Sequence, residues 1–224
     1  MKQLIFLLFS SLTLVAQNNF NEYGQRDGLW RGYHPNGVVK YEGNFINGKE
    51  TGVFKYYNYS ASLVIKLNYL DPGVRSKAIT YDNDGVIQSE GEYLNKKKNN
   101  LWTYYDTDNN VISKVNYLDG ILNGEYISYY ENGLKSEISY YENGLKNGKS
   151  HIFYRSGNIN AECFYVNDRL HGEAKFYYNN SDISLESVGY YFSGLKDSVW
   201  IMYNDAGEIN QIIQYDQGVI ISKE

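Results

Sequence analysis

Apolar and polar residues alternate along short stretches of this chain. Within residues 38–45, Val39, Tyr41 and Phe45 fall on one side of an extended backbone, and the charged residues between them fall on the other. This period of two is typical of a β-strand with one packed face and one solvated face. Pairs such as Asn36-Gly37 punctuate these stretches and tolerate the positive φ of tight turns. The pattern predicts successive β-hairpins.

The hairpin pattern repeats along the chain. A first series of tyrosines recurs every 24 or 25 residues: Tyr33, Tyr57, Tyr81, Tyr105, Tyr130, Tyr154, Tyr178 and Tyr203. A second aromatic follows each by 11 or 12 residues: Phe45, Tyr69, Tyr93, Tyr117, Tyr141, Tyr165, Tyr190 and Tyr215. The sequence therefore predicts an all-β fold, an elongated single-layer antiparallel sheet (a β-meander or solenoid) of about eight β-hairpin repeats of about 24 residues.

The repeat aromatics are expected to stabilise this sheet. Trp30, Phe54, Trp102 and Trp200 occupy one equivalent position, and Tyr56, Tyr104, Tyr129, Phe153 and Tyr177 are expected two residues later on the same face. Stacked hairpins place such rings on neighbouring strands, where each cross-strand aromatic pair contributes about 0.2–1 kcal/mol. We predict a structural role for the following set: Trp30, Tyr33, Phe54, Tyr57, Tyr81, Trp102, Tyr105, Tyr130, Tyr154, Tyr178, Trp200 and Tyr203.

The third unit departs from the pattern. Ala78 stands where other units have a large aromatic side chain, and residues 96–100 (Lys-Lys-Lys-Asn-Asn) replace the glycine-containing turn. We expect a solvated loop with a local bend there.

The first sixteen residues differ from the rest. A short segment with one positive charge precedes an apolar run from Leu4 to Val15, and the small residue Ala16 follows. This order is typical of a secretory signal peptide, and the run is shorter than the about 20 apolar residues that span a bilayer. We predict a signal peptide at 1–16, a repeat domain at 17–224 and a secreted or periplasmic protein, with no later segment that crosses a membrane.

The residues that could carry chemistry are few. The formal net charge of −5 argues against a nucleic-acid partner, because such proteins need a basic surface. Cys163 has no second cysteine to pair with and is expected to be a small core residue. His34, His151 and His171 fall at different positions of the repeat, so we do not expect stacking to bring them together. We predict no enzyme, no cofactor and no metal site.

The segment 41–57 (Tyr-Glu-Gly-Asn-Phe-Ile-Asn-Gly-Lys-Glu-Thr-Gly-Val-Phe-Lys-Tyr-Tyr) resembles MORN repeats, which have a tyrosine, a glycine, an aromatic residue and paired glycines. It is more similar to the MORN-variant repeats of bacterial YwqK-family proteins, which carry an antitoxin label. The turn segments 143–148 and 170–173 match the same pattern. The resemblance implies a repetitive sheet used in protein interaction, and the label implies neutralisation of a toxin by binding.

Two functions remain at this point. The first is a non-catalytic exported scaffold that binds a protein, antitoxin-like or immunity-like by resemblance. The second is a carbohydrate or cell-wall binding module, because the segment 102–106 (Trp-Thr-Tyr-Tyr-Asp) resembles the hairpins of choline-binding repeats and exposed aromatics stack on sugars. Burial of Trp30, Trp102 and Trp200 would argue against the second.

Overall fold

The computed structural model describes residues 17–224, so the predicted signal peptide at 1–16 lies outside the described residues. The strands are β1 (Asn19–Phe20), β2 (Arg26–Tyr33), β3 (Val39–Ile46), β4 (Lys49–Tyr57), β5 (Leu63–Asp71), β6 (Arg75–Tyr81), β7 (Ile87–Leu94), β8 (Lys97–Tyr105), β9 (Val111–Leu118), β10 (Ile121–Tyr129), β11 (Lys135–Glu142), β12 (Leu145–Phe153), β13 (Ile159–Val166), β14 (Arg169–Leu170), β15 (Gly172–Tyr177), β16 (Leu185–Phe192), β17 (Leu195–Tyr203), β18 (Ile209–Asp216) and β19 (Val219–Lys223). Over this range we find no helix suited to crossing a bilayer.

The strands form one open antiparallel meander. Each long strand pairs with the next one in the chain. His171 divides one of these strands into β14 and β15, which both pair with β13. The all-β, single-sheet prediction is confirmed. The nineteen strands exceed the two per unit expected for eight units because β1 and β19 are added at the ends and one strand is divided into β14 and β15.

The turns between units use left-handed backbone conformations. Asn47 and Gly48 have φ of 50° and 77°, as a two-residue hairpin turn requires. A third such residue follows inside the next strand, where Gly52 has φ of 63° and the pairing of β3 with β4 shifts register. Asn100 and Ser198 take this conformation without being glycine, with φ of 58° and 59°. The irregularity is a β-bulge of every unit except the third, in which Ser76 has no positive φ and β5 pairs with β6 without a shift from Ile65 to Tyr69.

The third unit ends in regular structure, so the expected solvated loop is wrong. Asn95 and Lys96 form the turn with φ of 50° and 65°, and Lys97 begins β8. Asn100 takes the position of the second glycine. Asparagine tolerates left-handed conformations better than most residues, so the glycine pattern can be absent while the hairpin remains.

Successive turns are hydrogen-bonded to one another. The amide N–H of Gly120 donates to the carbonyl of Lys98 at 2.8 Å, and Gly144 donates to Leu122 at 2.9 Å. Gly218 donates to Lys196 in the same way, at 2.7 Å. Each turn is therefore tied to the preceding unit along one margin of the sheet.

The core is a single row of side chains, one per long strand, on what we call the aromatic face. The row consists of Trp30, Gly43, Phe54, Leu67, Ala78, Gly91, Trp102, Val115, Tyr126, Ser139, Ser150, Cys163, Ala174, Gly189, Trp200 and Ile213. Most of the buried apolar residues of the described chain belong to it. No second layer covers this face, so the row must supply its own cover.

Large and small residues are matched along the row. A Cβ atom added to Gly91 would lie 2.3 Å from the ring of Trp102, and Gly43 and Gly189 are covered as closely by the rings of Phe54 and Trp200. The Trp102 indole N–H reaches across to the carbonyl of Glu92 at 3.1 Å. The large rings thus lie flat on the glycine backbone of the preceding strand.

The first tyrosine series combines two structural positions. Strands β2 and β4 end at Tyr33 and Tyr57, but the corresponding strands in later units end at Tyr129, Phe153 and Tyr177. Tyr130, Tyr154 and Tyr178 are therefore one residue beyond the equivalent position. Doublets such as Tyr129-Tyr130 hide this offset, because either tyrosine fits a repeat of 24 or 25 residues. Tyr129, Phe153 and Tyr177 correspond to Tyr57 rather than Tyr56, so their predicted place on the aromatic face is wrong.

Replacement of Gly91 by alanine tests the matched row. Because a Cβ on Gly91 would overlap the indole of Trp102 and force this buried ring away from the strand it covers, we expect Gly91→Ala to lower the free energy of unfolding by about 1–3 kcal/mol. Thermal and urea unfolding followed by tryptophan fluorescence would measure this loss. Cys163→Ala, at an equivalent row position, is the matched control and should cost less. Equal stability of Gly91→Ala and the wild type would contradict the packing argument.

Candidate binding surface

The side chains of the other face, which we call the opposite face, change character along the sheet. Its central row is Arg31, Glu42, Lys55, Lys66, Ile79, Glu90, Thr103, Lys114, Ile127, Ile138, His151, Glu162, Lys175, Val188, Ile201 and Ile212. The first half is mostly charged, and Glu42 pairs with both Arg31 and Lys55. The second half is largely aliphatic. The two halves therefore offer different chemistry to a partner.

At one position of the opposite face, next to its central row, exposed aromatic side chains appear only in the later units. Tyr140, Phe164 and Tyr190 are 44%, 39% and 51% exposed. Units one to four have Asn44, Asn68, Glu92 and Asn116 at this position. We call Tyr140, Phe164 and Tyr190 the aromatic strip. They lie on every second long strand, at a spacing of about 10 Å.

A depression adjoins the aromatic strip. It has a volume of about 410 Å³ and is lined by Lys149, His151, Glu162, Cys163, Phe164, His171, Gly172, Glu173 and Lys175. Lys175 pairs with Glu173 at 3.0 Å, and His151 Nε2 lies 4.0 Å from a Glu162 oxygen. The aromatic strip is therefore bordered by basic and acidic groups in close alternation.

The depression exists because of the interrupted strand. The backbone N–H of His171 donates to the carbonyl of Phe164 at 2.8 Å, and the His171 ring lies 5.4 Å from the ring of Phe192. His151 and His171 line the same depression, so the prediction that stacking would separate the histidines is wrong for this pair. Pairing the residues on either side of the Asn167-Asp168 turn, outward from the turn, places His171 opposite Phe164. Alignment of the units on their tyrosines does not reveal this pairing.

Groups that could hold a metal ion do not converge. Among residues 17–224, no set of three or more His, Cys, Asp or Glu side chains is arranged for one. Cys163 is buried in the row, and burial raises the pKa of its thiol.

The most deeply buried polar groups of the aromatic face form a cluster around two serines. The hydroxyls of Ser139 and Ser150 lie 2.7 Å apart, and Ser139 donates to Glu137. Lys146 forms an ion pair with the same carboxylate and lies 4.7 Å from the ring centre of Tyr165. Burial lowers the pKa of Lys146, but Glu137 outweighs it, so the pKa is raised. Both serines are completely buried, so this cluster is part of the core.

The predicted repeat aromatics serve several local roles. The hydroxyls of Tyr57 and Tyr177 donate to Glu42 and Glu162 on the opposite face, both at 2.9 Å. Tyr130, Tyr154 and Tyr178 donate instead to main-chain carbonyls of the next unit, at Phe153, Tyr177 and Tyr203. Tyr105 donates to Glu90, whereas Tyr33 is exposed and Tyr81 is half-buried.

The three tryptophans are not accessible. Trp102 and Trp200 are 0% and 1% exposed, and Trp30 is 8% exposed. They therefore offer no stacking surface to a sugar, and the part of the carbohydrate hypothesis that used them is wrong. The exposed rings of the described chain are tyrosines and phenylalanines, such as Tyr140 and Phe192.

The fold and these surfaces define a β-hairpin repeat protein. Four of its segments match the MORN repeat variant family: residues 26–47, 77–95, 122–143 and 146–167. The first match covers β2, β3 and part of the following turn, and the last covers β12, β13 and part of the next turn. The family pattern is therefore the pattern of one hairpin. A search of curated proteins finds no match.

The solved structures that resemble this chain match it only over part of its length or with a low TM-score. A mutant of S. aureus TarM in complex with Fondaparinux, alpha-GlcNAc-glycerol and UDP is 13% identical over 45% of this chain and 18% of its own, with a TM-score of 0.25. A second TarM structure is 12% identical over 54% and 19%, with a TM-score of 0.27. TcdB2-TccC3 is 11% identical over 92% and 14%, with a TM-score of 0.24. The chain spans less than a fifth of each.

Alkaline titration tests the burial of the tyrosines. Burial, aided by hydrogen bonds in which the hydroxyls donate, raises the pKa of Tyr105, Tyr117 and Tyr177 to about 12. An unfolded tyrosine has a pKa of about 10, so the unfolded chain loses these protons first. Below about pH 10 these groups are protonated in both states, so the free energy of unfolding should not change with pH on their account. It should fall between about pH 10 and 12, where the unfolded chain releases their protons first.

Absorbance at the phenolate band and circular dichroism would follow ionisation and unfolding together. Tyr177→Phe removes one of the three groups and should make the loss of stability with pH less steep. Complete ionisation of the tyrosines near their ordinary pKa in a chain that stays folded would contradict the assignment.

Proposed function

We propose that this protein is a non-catalytic binding scaffold and that its partner is another protein. The observation that carries the proposal is the aromatic strip, Tyr140, Phe164 and Tyr190, which stands exposed on one half of one face. Matches to the MORN repeat variant family in four segments support a repeat-based binding surface.

The composition of this surface suits a protein partner. Interface centres are enriched in aromatic residues, and a few such residues supply most of the binding energy. The aromatic strip is flanked by exposed Val166, Phe192 and Leu195 and by the charged depression. Exposed apolar groups bordered by polar ones are typical of interaction sites. The charged first half of the same face also exposes aliphatic side chains, such as Ile46 and Leu118, but it has asparagine or glutamate at the position of the aromatic strip.

We further propose that the protein is exported and antitoxin-like or immunity-like. The residues that support export are the apolar run and Ala16 within 1–16. Resemblance to YwqK-family repeats suggests that the partner is a toxin outside the cytoplasm. N-terminal mass spectrometry of protein from the periplasm or medium tests the export, with Gln17 expected as the first residue. A chain retained in the cytoplasm with Met1 intact would contradict it.

Matched alanine variants test the binding surface. Tyr140→Ala, Phe164→Ala and Tyr190→Ala should each weaken binding to a captured exported protein by roughly tenfold, because each deletes a buried contact of the complex. Asn68→Ala and Asn116→Ala change the same position in units two and four and should leave affinity unchanged. Biolayer interferometry against the purified partner gives both sets of values.

Two results would overturn this proposal. One is an equal loss of affinity in the asparagine controls, which would place the contact elsewhere. The other is recovery of no protein after cross-linking in the periplasm and medium.

A carbohydrate is the second candidate. The depression brings basic, acidic and histidine side chains next to the exposed ring of Phe164, an arrangement that can hydrogen-bond hydroxyls and stack on a sugar. Sedimentation with purified cell wall distinguishes the two candidates. Binding to cell wall that Phe164→Ala abolishes would favour the sugar over the protein.

A further inference from the structure

Cationic side chains lie above rings of the aromatic face in several units. Lys98 Nζ is 4.4 Å from the ring centre of Trp102, and Lys196 Nζ is 4.1 Å from that of Trp200. Arg26 in the first unit and Lys146 in the sixth make the same kind of contact. A cation above the face of an aromatic ring is attracted by the negative charge of that face. The sheet therefore uses cations as covers for its rings.

These cations occupy one position of the repeat, close after the turn between units. Lys98 is paired with Tyr93 on the preceding strand and lies 5.3 Å from the ring centre of Tyr117 on the following one. Other units place a long side chain there, namely Glu50, Leu122 and Leu170. Each of these side chains is long enough to cover the neighbouring rings.

In the third unit, which lacks the β-bulge, Ser76 takes this position in the pairing with the preceding strand. Ser76 is paired with Tyr69 on one side and with Tyr93 on the other, and its side chain is too short to cover either ring. A cavity of about 230 Å³ lies here, lined by Tyr56, Ile65, Leu67, Tyr69, Gly73, Val74, Ser76, Tyr93 and Lys96. We call it the cation seat. Because Ser76 lines it, the cavity adjoins the position that Lys98 and Lys196 take in units four and eight.

The electrostatics of the cation seat favour a positive group. The carboxylate of Glu50 lies at its edge, 3.5 Å from where a Cβ on Gly73 would be. Burial and then the charge of Glu50 raise the pKa of Tyr69. Lys96 pairs with Glu50 at 3.1 Å, but its side chain is 72% exposed, and such exposed pairs contribute little. A cation from outside can therefore replace Lys96 at Glu50.

We propose that the cation seat binds the ammonium end of a lysine side chain presented by another polypeptide. The ammonium would lie between Tyr69 and Tyr93 with Glu50 as its counter-ion, and its methylene stem would pack on Leu67. This extends the proposed binding function to a second contact, on the other face from the aromatic strip. Each site can therefore fail without the other.

A peptide titration tests the cation seat directly. The probe is acetyl-Gly-Lys-Gly-amide, and norleucine in place of lysine gives the matched neutral peptide. In low salt, NMR shifts of tyrosine ring signals should report binding of the lysine peptide roughly tenfold tighter than of the norleucine peptide. Equal binding of the two peptides, or none, would overturn the proposal.

The decisive variant fills the cation seat with a side chain of the protein itself. Ser76→Lys should abolish peptide binding, because the new side chain takes the place that Lys98 and Lys196 take in their units. Leu122→Lys adds the same charge at the same position of unit five and should leave binding intact. Retained peptide binding in Ser76→Lys, or equal loss in Leu122→Lys, would count against the site.

A third variant keeps the test informative if Ser76→Lys fails to fold. Lys96→Met removes the internal competitor for Glu50 and should tighten binding of the lysine peptide several-fold. Weaker binding would overturn the role of Glu50. Preferred binding of tetramethylammonium over the lysine peptide would instead identify a quaternary amine as the ligand. Partner binding that depends on Tyr140, Phe164 and Tyr190 but survives Ser76→Lys would uphold the proposed function while removing the cation seat from it.

Discussion

The contact between a flat aromatic ring and a glycine backbone is the interaction on which this sheet depends. A sheet with no second layer cannot bury its side chains between layers, which is how most domains form a core. Here the ring of Trp102 lies on Gly91, and Phe54 and Trp200 lie on Gly43 and Gly189. The strand beneath each ring becomes its packing partner. The other face is consequently free to vary in charge and apolar character.

The sequence allowed the hairpins and their order to be predicted because turn and strand signals are local. Spacing alone could not show whether Tyr129 or Tyr130 is equivalent to Tyr57, since the answer depends on where the strand ends. Likewise, Asn100 shows that a missing glycine need not mean a missing hairpin. The shared depression at His151 and His171 was missed because it arises from one interrupted strand.

The two candidate sites come from departures from the repeat. Tyr140, Phe164 and Tyr190 replace asparagine or glutamate on the opposite face, and Ser76 replaces a long side chain on the aromatic face. A regular unit stabilises the sheet, and an irregular unit leaves a group exposed or a space unfilled. Neither departure is visible in the tyrosine spacing, and both become clear once the units are superposed by strand pairing.

The meander also determines how the molecule would respond to force. Every long strand is hydrogen-bonded only to the strands beside it, and each turn bonds only to an adjacent unit. Tension applied between the two ends would therefore open the bonds of one hairpin at a time rather than shear many together. The chain would lengthen in steps of one unit at low load, and the remaining units would keep their structure.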